Sequence, residues 1–319
     1  MPVGAQLYAP DPSLAVALSP NLRGSLFMAI AMASFTMNDA ITKAVSSEIN
    51  FGEIMLVRGV FAIVLIAALT ISRGAIRPVR TLMVKPVALR VMGEVGGTVA
   101  FLAAIVHLPL ANISAIMQAL PLAITLGAAV VLSEPVGWRR WTAIGIGFAG
   151  VLVIVRPGLD GFNQFALLAL ISVLFCTLRD LATNRIPAEI PSLFITLLTT
   201  IVVTVVGALV LVPLGGWVQP SARVVGLLAL AAVFVLTGYQ CVIMAMRAGD
   251  ISAVAPFRYT ALLWAILLGY ILFSEVPDGP MIVGASMIVA SGLYAFYRER
   301  VRARMRPGAS ATSLPPDGL

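Results

Sequence analysis

Seven charged residues sit where charge is costly. Asp39, Lys43, Arg58, Glu94, Arg179, Asp180 and Arg258 all fall inside long apolar runs. At the centre of a bilayer a charge costs about 3 kcal/mol or more, so each must pair, face water or pass a proton. Asp39 and Lys43 are one helical turn apart in SFTMNDAITKAV (34–45), acid before base, the favourable order for such a pair. At about 1.5 Å per residue, Arg58 reaches a similar depth from the same membrane face. Asp180 follows Arg179 in LFCTLRDLATNRI, and Arg258 comes to its level from the opposite face. The pattern predicts two polar networks, an outer one of Asp39, Lys43 and Arg58 and an inner one of Asp180 and Arg258. Such groups either fix helix packing, gate a path, or touch a solute or proton that crosses.

Other residues add to this set. Glu94 lies in GEVGG, where Gly93 and Gly97 admit a second helix closely; the acid either carries a proton or makes a structural hydrogen bond. Arg258 and Tyr259 follow Pro256, which frees backbone groups that a cavity can use. Tyr259 and Trp264 either stack on a flat ring system or contact lipid and core. Glu134 and Glu275 read as interfacial anchors or caps at span ends, and His107 as an interfacial residue. Cys176 and Cys241 have no metal-site spacing and read as packing residues.

Helices must position these groups. Of 319 residues, 60% are hydrophobic and 11% charged, against about 25% charged in soluble domains. With a mean hydropathy of +1.01, the composition predicts an all-α membrane protein. Ten apolar segments lie near 22–46, 51–72, 86–107, 111–133, 139–155, 163–186, 190–213, 222–246, 251–274 and 280–298. Fourteen Lys and Arg residues fall in loops on one side, against Arg156 and Arg223 on the other. The excess puts both termini in the cytoplasm and attributes the net charge of +7 to loops, not to nucleic-acid binding. Residues 1–21 lack a basic residue, so they read as a cytoplasmic tail and not a signal peptide. Residues 299–319 read as a basic, then disordered, tail.

The chain also repeats. A shift of 141 residues places Asp39 on Asp180, Thr42 on Thr183, and Ser133-Glu134 on Ser274-Glu275. Two halves of five spans, 22–156 and 162–298, must then run in opposite directions, because five is odd. Inverted repeats around a central site are a carrier signature. Gly145-xxx-Ala149 and Ser286-xxx-Ala290 read as small-residue faces on spans five and ten, which either pair with each other or form a homodimer face.

NDAITK in span one, LVRG in span two, ISAIMQALPLAITLGAAVVLSEP with GIGFAGVLVI, and APFRYTALLWAILLGYILFSEVPD in span nine resemble the EamA-type carriers of the drug/metabolite transporter superfamily. The resemblance covers about residues 22–300. It implies ten helices in two inverted five-helix units around a substrate cavity, and gradient-driven transport without a cofactor. Gln118 and Pro121 match positions that line the cavity in such carriers. The span-one and span-nine patterns are most similar to carriers for riboflavin and for S-adenosylmethionine; other relatives export amino acids or drugs. The expectation is uptake of a small metabolite such as riboflavin across a bacterial inner membrane. Its substrate ligands would be Arg258, Tyr259, Gln118 and Trp264, and its gating or coupling groups Asp39, Lys43, Arg58, Glu94, Arg179 and Asp180. No Walker loop, HExxH or Gly-x-Ser-x-Gly occurs, which sets enzymes and ATP-driven pumps aside. A non-transporting scaffold is the alternative of a different class.

Overall fold

Short polar or proline-bearing links cut the apolar sequence into spanning helices, and ten of these are long and apolar enough to cross a membrane. The computed structural model describes residues 19–131, 137–157 and 163–305. The start of the expected N-terminal tail (1–18), Glu134, and the end of the C-terminal tail (306–319) lie outside the described residues. The first half holds α1 (Pro20–Val45), α2 (Phe51–Ser72), α3 (Lys85–Ile105), α4 (Leu110–Met117), α5 (Leu120–Val131) and α6 (Trp138–Val155). The second holds α7 (Phe165–Thr183), α8 (Ser192–Leu211), α9 (Ala222–Ala248), α10 (Ile251–Val254), α11 (Thr260–Phe273) and α12 (Gly279–Met305).

The repeat seen in sequence is a repeat of structure. α2, α4 and α6 begin at 51, 110 and 138; α8, α10 and α12 begin at 192, 251 and 279, each 141 residues later. The largest helix pairings are α1 with α9, α3 with α7, α2 with α8, and α6 with α12. Every one joins the two halves. Exchanging the halves turns α1–α9 into α7–α3 and maps α2–α8 and α6–α12 onto themselves, so the halves meet about a pseudo-twofold axis.

Spans four and nine depart from the continuous segments expected at 111–133 and 251–274. Span four breaks between α4 and α5 at Gln118 and Ala119. Pro121 has no N–H to offer the carbonyl of Met117, which ends the first piece. Span nine breaks in a 3₁₀ turn, Ala255–Tyr259, that contains Pro256. The two breaks meet: Gln118 Nε2 donates to the carbonyl of Arg258 at 3.2 Å.

Spans five and ten do pair, but through other residues than expected. Gly145, Ala149, Ser286 and Ala290 are exposed. The contact uses Gly150 and Gly284, where a Cβ on Gly150 would lie 2.7 Å from the Gly284 carbonyl oxygen. The Gly145–Ala149 and Ser286–Ala290 faces point outward and leave the pairing to their neighbours on each helix. Such close crossings suit a membrane, where packing and not hydrophobic exclusion holds helices together.

Candidate functional site

Between the halves lies a cavity of about 260 Å³, lined from α1, α2, α3, α4, α7, α8 and α9. Of the ten residues expected to bind substrate or to gate, four line it: Asp39, Arg58, Glu94 and Arg179. They form two groups. In the first, Asn38 is the bridge: its Nδ2 donates to Asp39 at 2.9 Å, and its Oδ1 accepts Arg58 Nη1 at 2.9 Å. Arg58 also reaches Thr42 Oγ1 at 3.4 Å. In the second group, Arg179 stands between two acids, with Nε 2.7 Å from Asp180 and Nη1 3.6 Å from Glu94. The approach of α3 to α7 makes this possible. A Cβ on Gly93 would meet the backbone of Phe175 and Arg179 at 2.7 Å, so the glycine reading of GEVGG holds.

Lys43 leaves the predicted outer network. Its Nζ lies 2.5 Å from Glu275 Oε1 and 2.5 Å from the Leu108 carbonyl oxygen, with the Phe273 ring 5.3 Å away. The i,i+4 pairing with Asp39 loses because two acceptors in the links beside other spans, the Leu108 carbonyl and Glu275, satisfy the ammonium together, while Asn38 already donates to Asp39. The cap reading of Glu275 holds, since its Oε2 accepts the Leu110 N–H at 2.7 Å and caps α4, and the ion pair with Lys43 is added to it. The side chains of this pair keep 13% and 19% of their exposure, so it is largely shielded.

Arg258 lies within electrostatic reach of Asp180, but the Asp180 carboxylate pairs with Arg179, and Arg258 is not among the residues lining this cavity. Gln118 spends its amide on the Arg258 backbone. Tyr259 is buried at 6% exposure and packs edge-on against Phe296 of α12. Trp264 packs against the cluster of Met28, Met32 and Cys241 between α1 and α9. None of these lines the cavity. His107 is exposed and stacks on Phe165 at 3.7 Å.

Several lining residues carried no sequence signal. Tyr239 of α9 borders the cavity, meets Phe35 edge-on at 5.3 Å, and is in electrostatic reach of both Arg58 and Glu94. Phe35, Phe101 and Tyr239 thus put three rings from α1, α3 and α9 around one space. Thr196, Thr199, Thr200 and Thr204 line it from α8. Each hydroxyl donates to a carbonyl of the preceding turn, which leaves its lone pairs to accept from a guest. Three arginines, Arg58, Arg90 and Arg179, and two acids, Asp39 and Glu94, line it; Asp180, paired with Arg179 just behind the lining, brings the charges into balance. Glu53 was also missed. Fully buried on α2, it accepts the Val218 N–H at 3.2 Å and ties α2 to the α8–α9 loop.

The arrangement can hold a small polar guest and shift its charge pairs around it; it contains no nucleophile–base pair. A solved crystal structure superimposes with a TM-score of 0.63 at 17% identity, over 87% of this chain and 98% of that one, which establishes the fold alone. A riboflavin transporter of Rhizobium johnstonii is 27% identical over 92% of this chain and 97% of its own length. An S-adenosylmethionine uptake transporter of Rickettsia prowazekii is 23% identical over 89% and 96%. The EamA-like transporter family profile matches residues 22–156 and again 164–297, one match in each half, and the chain belongs to that family of multi-pass, non-enzymatic membrane transporters.

Proposed function

We propose that this protein is a secondary carrier for uptake of a neutral, flat, hydrogen-bonding metabolite of the riboflavin type. It sits in the bacterial inner membrane with both termini in the cytoplasm, so the Lys43 end faces outward. The observation that carries this reading is the composition of the central cavity. Three aromatic rings offer stacking surfaces, and a row of threonine hydroxyls offers acceptors. The charges around the cavity balance, which suits a neutral guest better than a cation such as a sulfonium. The similarity to a protein named a riboflavin transporter supports the choice; the similarity to one named for S-adenosylmethionine supports the broader class.

In this reading the Asp39–Asn38–Arg58 group and the Glu94–Arg179–Asp180 group flank the guest. Entry from either side rearranges the nearer charges, which cannot remain unpaired in a low dielectric. Lys43–Glu275 holds the outer end shut in the conformation seen.

The test is uptake of labelled riboflavin in a riboflavin-requiring bacterium, with and without this protein, at low external vitamin. Saturable uptake that unlabelled riboflavin abolishes, and S-adenosylmethionine does not, is the expected result. Uptake competed by S-adenosylmethionine alone would move the substrate to the sulfonium. Uptake of neither, with the protein in the membrane, would end the vitamin-uptake reading.

A further inference from the structure

Away from the charged cavity, α3, α7 and α8 enclose a second depression of about 580 Å³. Ala88, Met92 and Val95 form one wall and Val202 and Val206 the other, over the ring of Phe175. Among the described residues, no polar side chain lines it. Gly96 keeps the floor low, since a Cβ there would lie 2.5 Å from that ring. From Val87 to Gly96 the groove runs about 13 Å along α3, close to the depth of hydrocarbon in one leaflet, about 15 Å.

One end of the groove reaches Leu82, in the link between α2 and α3. There the surface changes character. Lys85 precedes Ala88 and Met92 by three and seven residues, so it stands on the stripe of α3 that lines the groove. Arg80 lies in the 3₁₀ turn Val79–Leu82 at the same end. Ile76, Val79 and Met83, interleaved with these cations, are exposed at 53%, 69% and 80%. Residues 73–85 hold four cations and no acid. The α7–α8 loop, whose Ile190 packs with Leu82 and Val87, adds Arg185 and one acid, Glu189. Exposed apolar side chains alternating with cations belong at headgroup level. Arg77 is already engaged, donating to the carbonyls of Gly74 and Ile76.

We propose that this groove binds one anionic phospholipid, an acyl chain between α3 and α8 and the phosphate between Arg80 and Lys85. Charge decides the headgroup. A zwitterionic lipid fits the apolar walls equally well but gains less from a patch in which cations outnumber acids five to one. The site is independent of the transport reading. A lipid seated there supports the outer faces of α3 and α7, whose other sides carry Glu94 and Arg179.

The experiment is native mass spectrometry of the purified, delipidated full chain titrated with dioleoyl phosphatidylglycerol or dioleoyl phosphatidylcholine. The expected result is one phosphatidylglycerol per chain, held at least about tenfold tighter than phosphatidylcholine. Arg80→Gln with Lys85→Gln should weaken phosphatidylglycerol about 30-fold, about 2 kcal/mol, and leave phosphatidylcholine unchanged. Val202→Trp, which fills the groove, should abolish retention of both. Arg247→Gln, a cation away from the groove, should change neither. Equal retention of the two lipids, retention indifferent to Val202→Trp, or an Arg247→Gln effect equal to that of the double variant would each overturn the assignment.

Discussion

The two ends of the molecule are built from equivalent helices and closed by different chemistry. At the Lys43 end, an ammonium and a carboxylate lock α1 to the end of α11, and two backbone groups of the α3–α4 region join them. The residue 141 places after Lys43 is Asn184, so the opposite end has no ammonium there. That end is held by Arg179 between Glu94 and Asp180, by Arg90 donating to Thr183 at 2.9 Å, and by Asn21 with Asp250. Among the cavity charges, only Asp39 has a like-charged residue at the equivalent position, Asp180. Arg58 falls on Thr199, and Arg258 falls on Met117. The backbone is symmetric and the charges are not. In the proposed carrier, a symmetric scaffold would supply two exchangeable openings, and unlike locks would let a cell gradient and a substrate act differently on each.

Removing Arg179 is the strongest way to break this contrast. Arg179→Gln leaves Glu94 and Asp180 without their cation and should cut transport about 100-fold. Glu94→Gln and Asp180→Asn added to Arg179→Gln remove both stranded acids, so the triple variant should recover stability yet still fail to transport. Recovery of transport would reduce the cluster to a packing device.

Next in size is Lys43→Gln. It strands a shielded carboxylate and should cost about 3 kcal/mol of stability, the low end for a broken buried pair because both groups keep some solvent. It should also open that end. In a Cys241→Ala background, an impermeant maleimide added from the Lys43 side should label Cys176, which lines the cavity, faster than in the parent. Asn184→Ala, at the equivalent place, should change stability by less than about 0.5 kcal/mol. Equal effects at 43 and 184 would erase the asymmetry.

A smaller effect separates two tyrosines. Tyr239→Leu removes a cavity ring and should raise KM about tenfold, the worth of one stacking contact. Tyr259→Phe removes a buried hydroxyl that has no hydrogen-bond partner among the described residues, so transport should be unchanged and stability equal or higher. A transport defect in Tyr259→Phe would return span nine to the substrate path.

How far the sequence reached can be judged from these residues. Span positions and the offset of 141 were legible, because a bilayer demands long apolar helices and duplicated halves keep their lengths. Asp39, Arg58, Glu94 and Arg179 were legible because charge in an apolar run is conspicuous. Their partners were not. Depth along the helix placed Lys43 beside Asp39, but direction around the helix and the reach of Glu275 decided its pairing. Arg258 was set against Arg58 by depth alone, whereas the repeat sets it against Met117. Tyr239 sits in an aliphatic run with no charge to flag it; only the rotation of α9 turns it to the cavity. Pro121 and Pro256 stand at the two breaks, yet both spans read as continuous apolar runs, and the hydrogen bond that joins the breaks needed the third dimension.

The slightest test concerns the rim of the Lys43 end, where Arg156 pairs with Asp278 and Asp278 Oδ1 accepts the Met281 N–H at 2.9 Å, capping α12. Partial burial pushes the Asp278 carboxyl up, but the Arg156 guanidinium and the Met281 N–H outweigh it and hold the group below its ordinary value. A carboxylate so depressed contributes stability that is complete above about pH 4 and is lost as pH falls through its folded value. Asp278 is half exposed, so solvent screening limits the contribution to about 0.5 kcal/mol. Asp278→Asn keeps a capping side chain and removes only the charge. Its melting temperature should lie slightly below the parent's at pH 7 and converge with it toward pH 3. A gap that persisted at pH 3 would assign the loss to the cap and not to the ion pair, and the Lys43 end would then owe its closure to Lys43 and Glu275 alone.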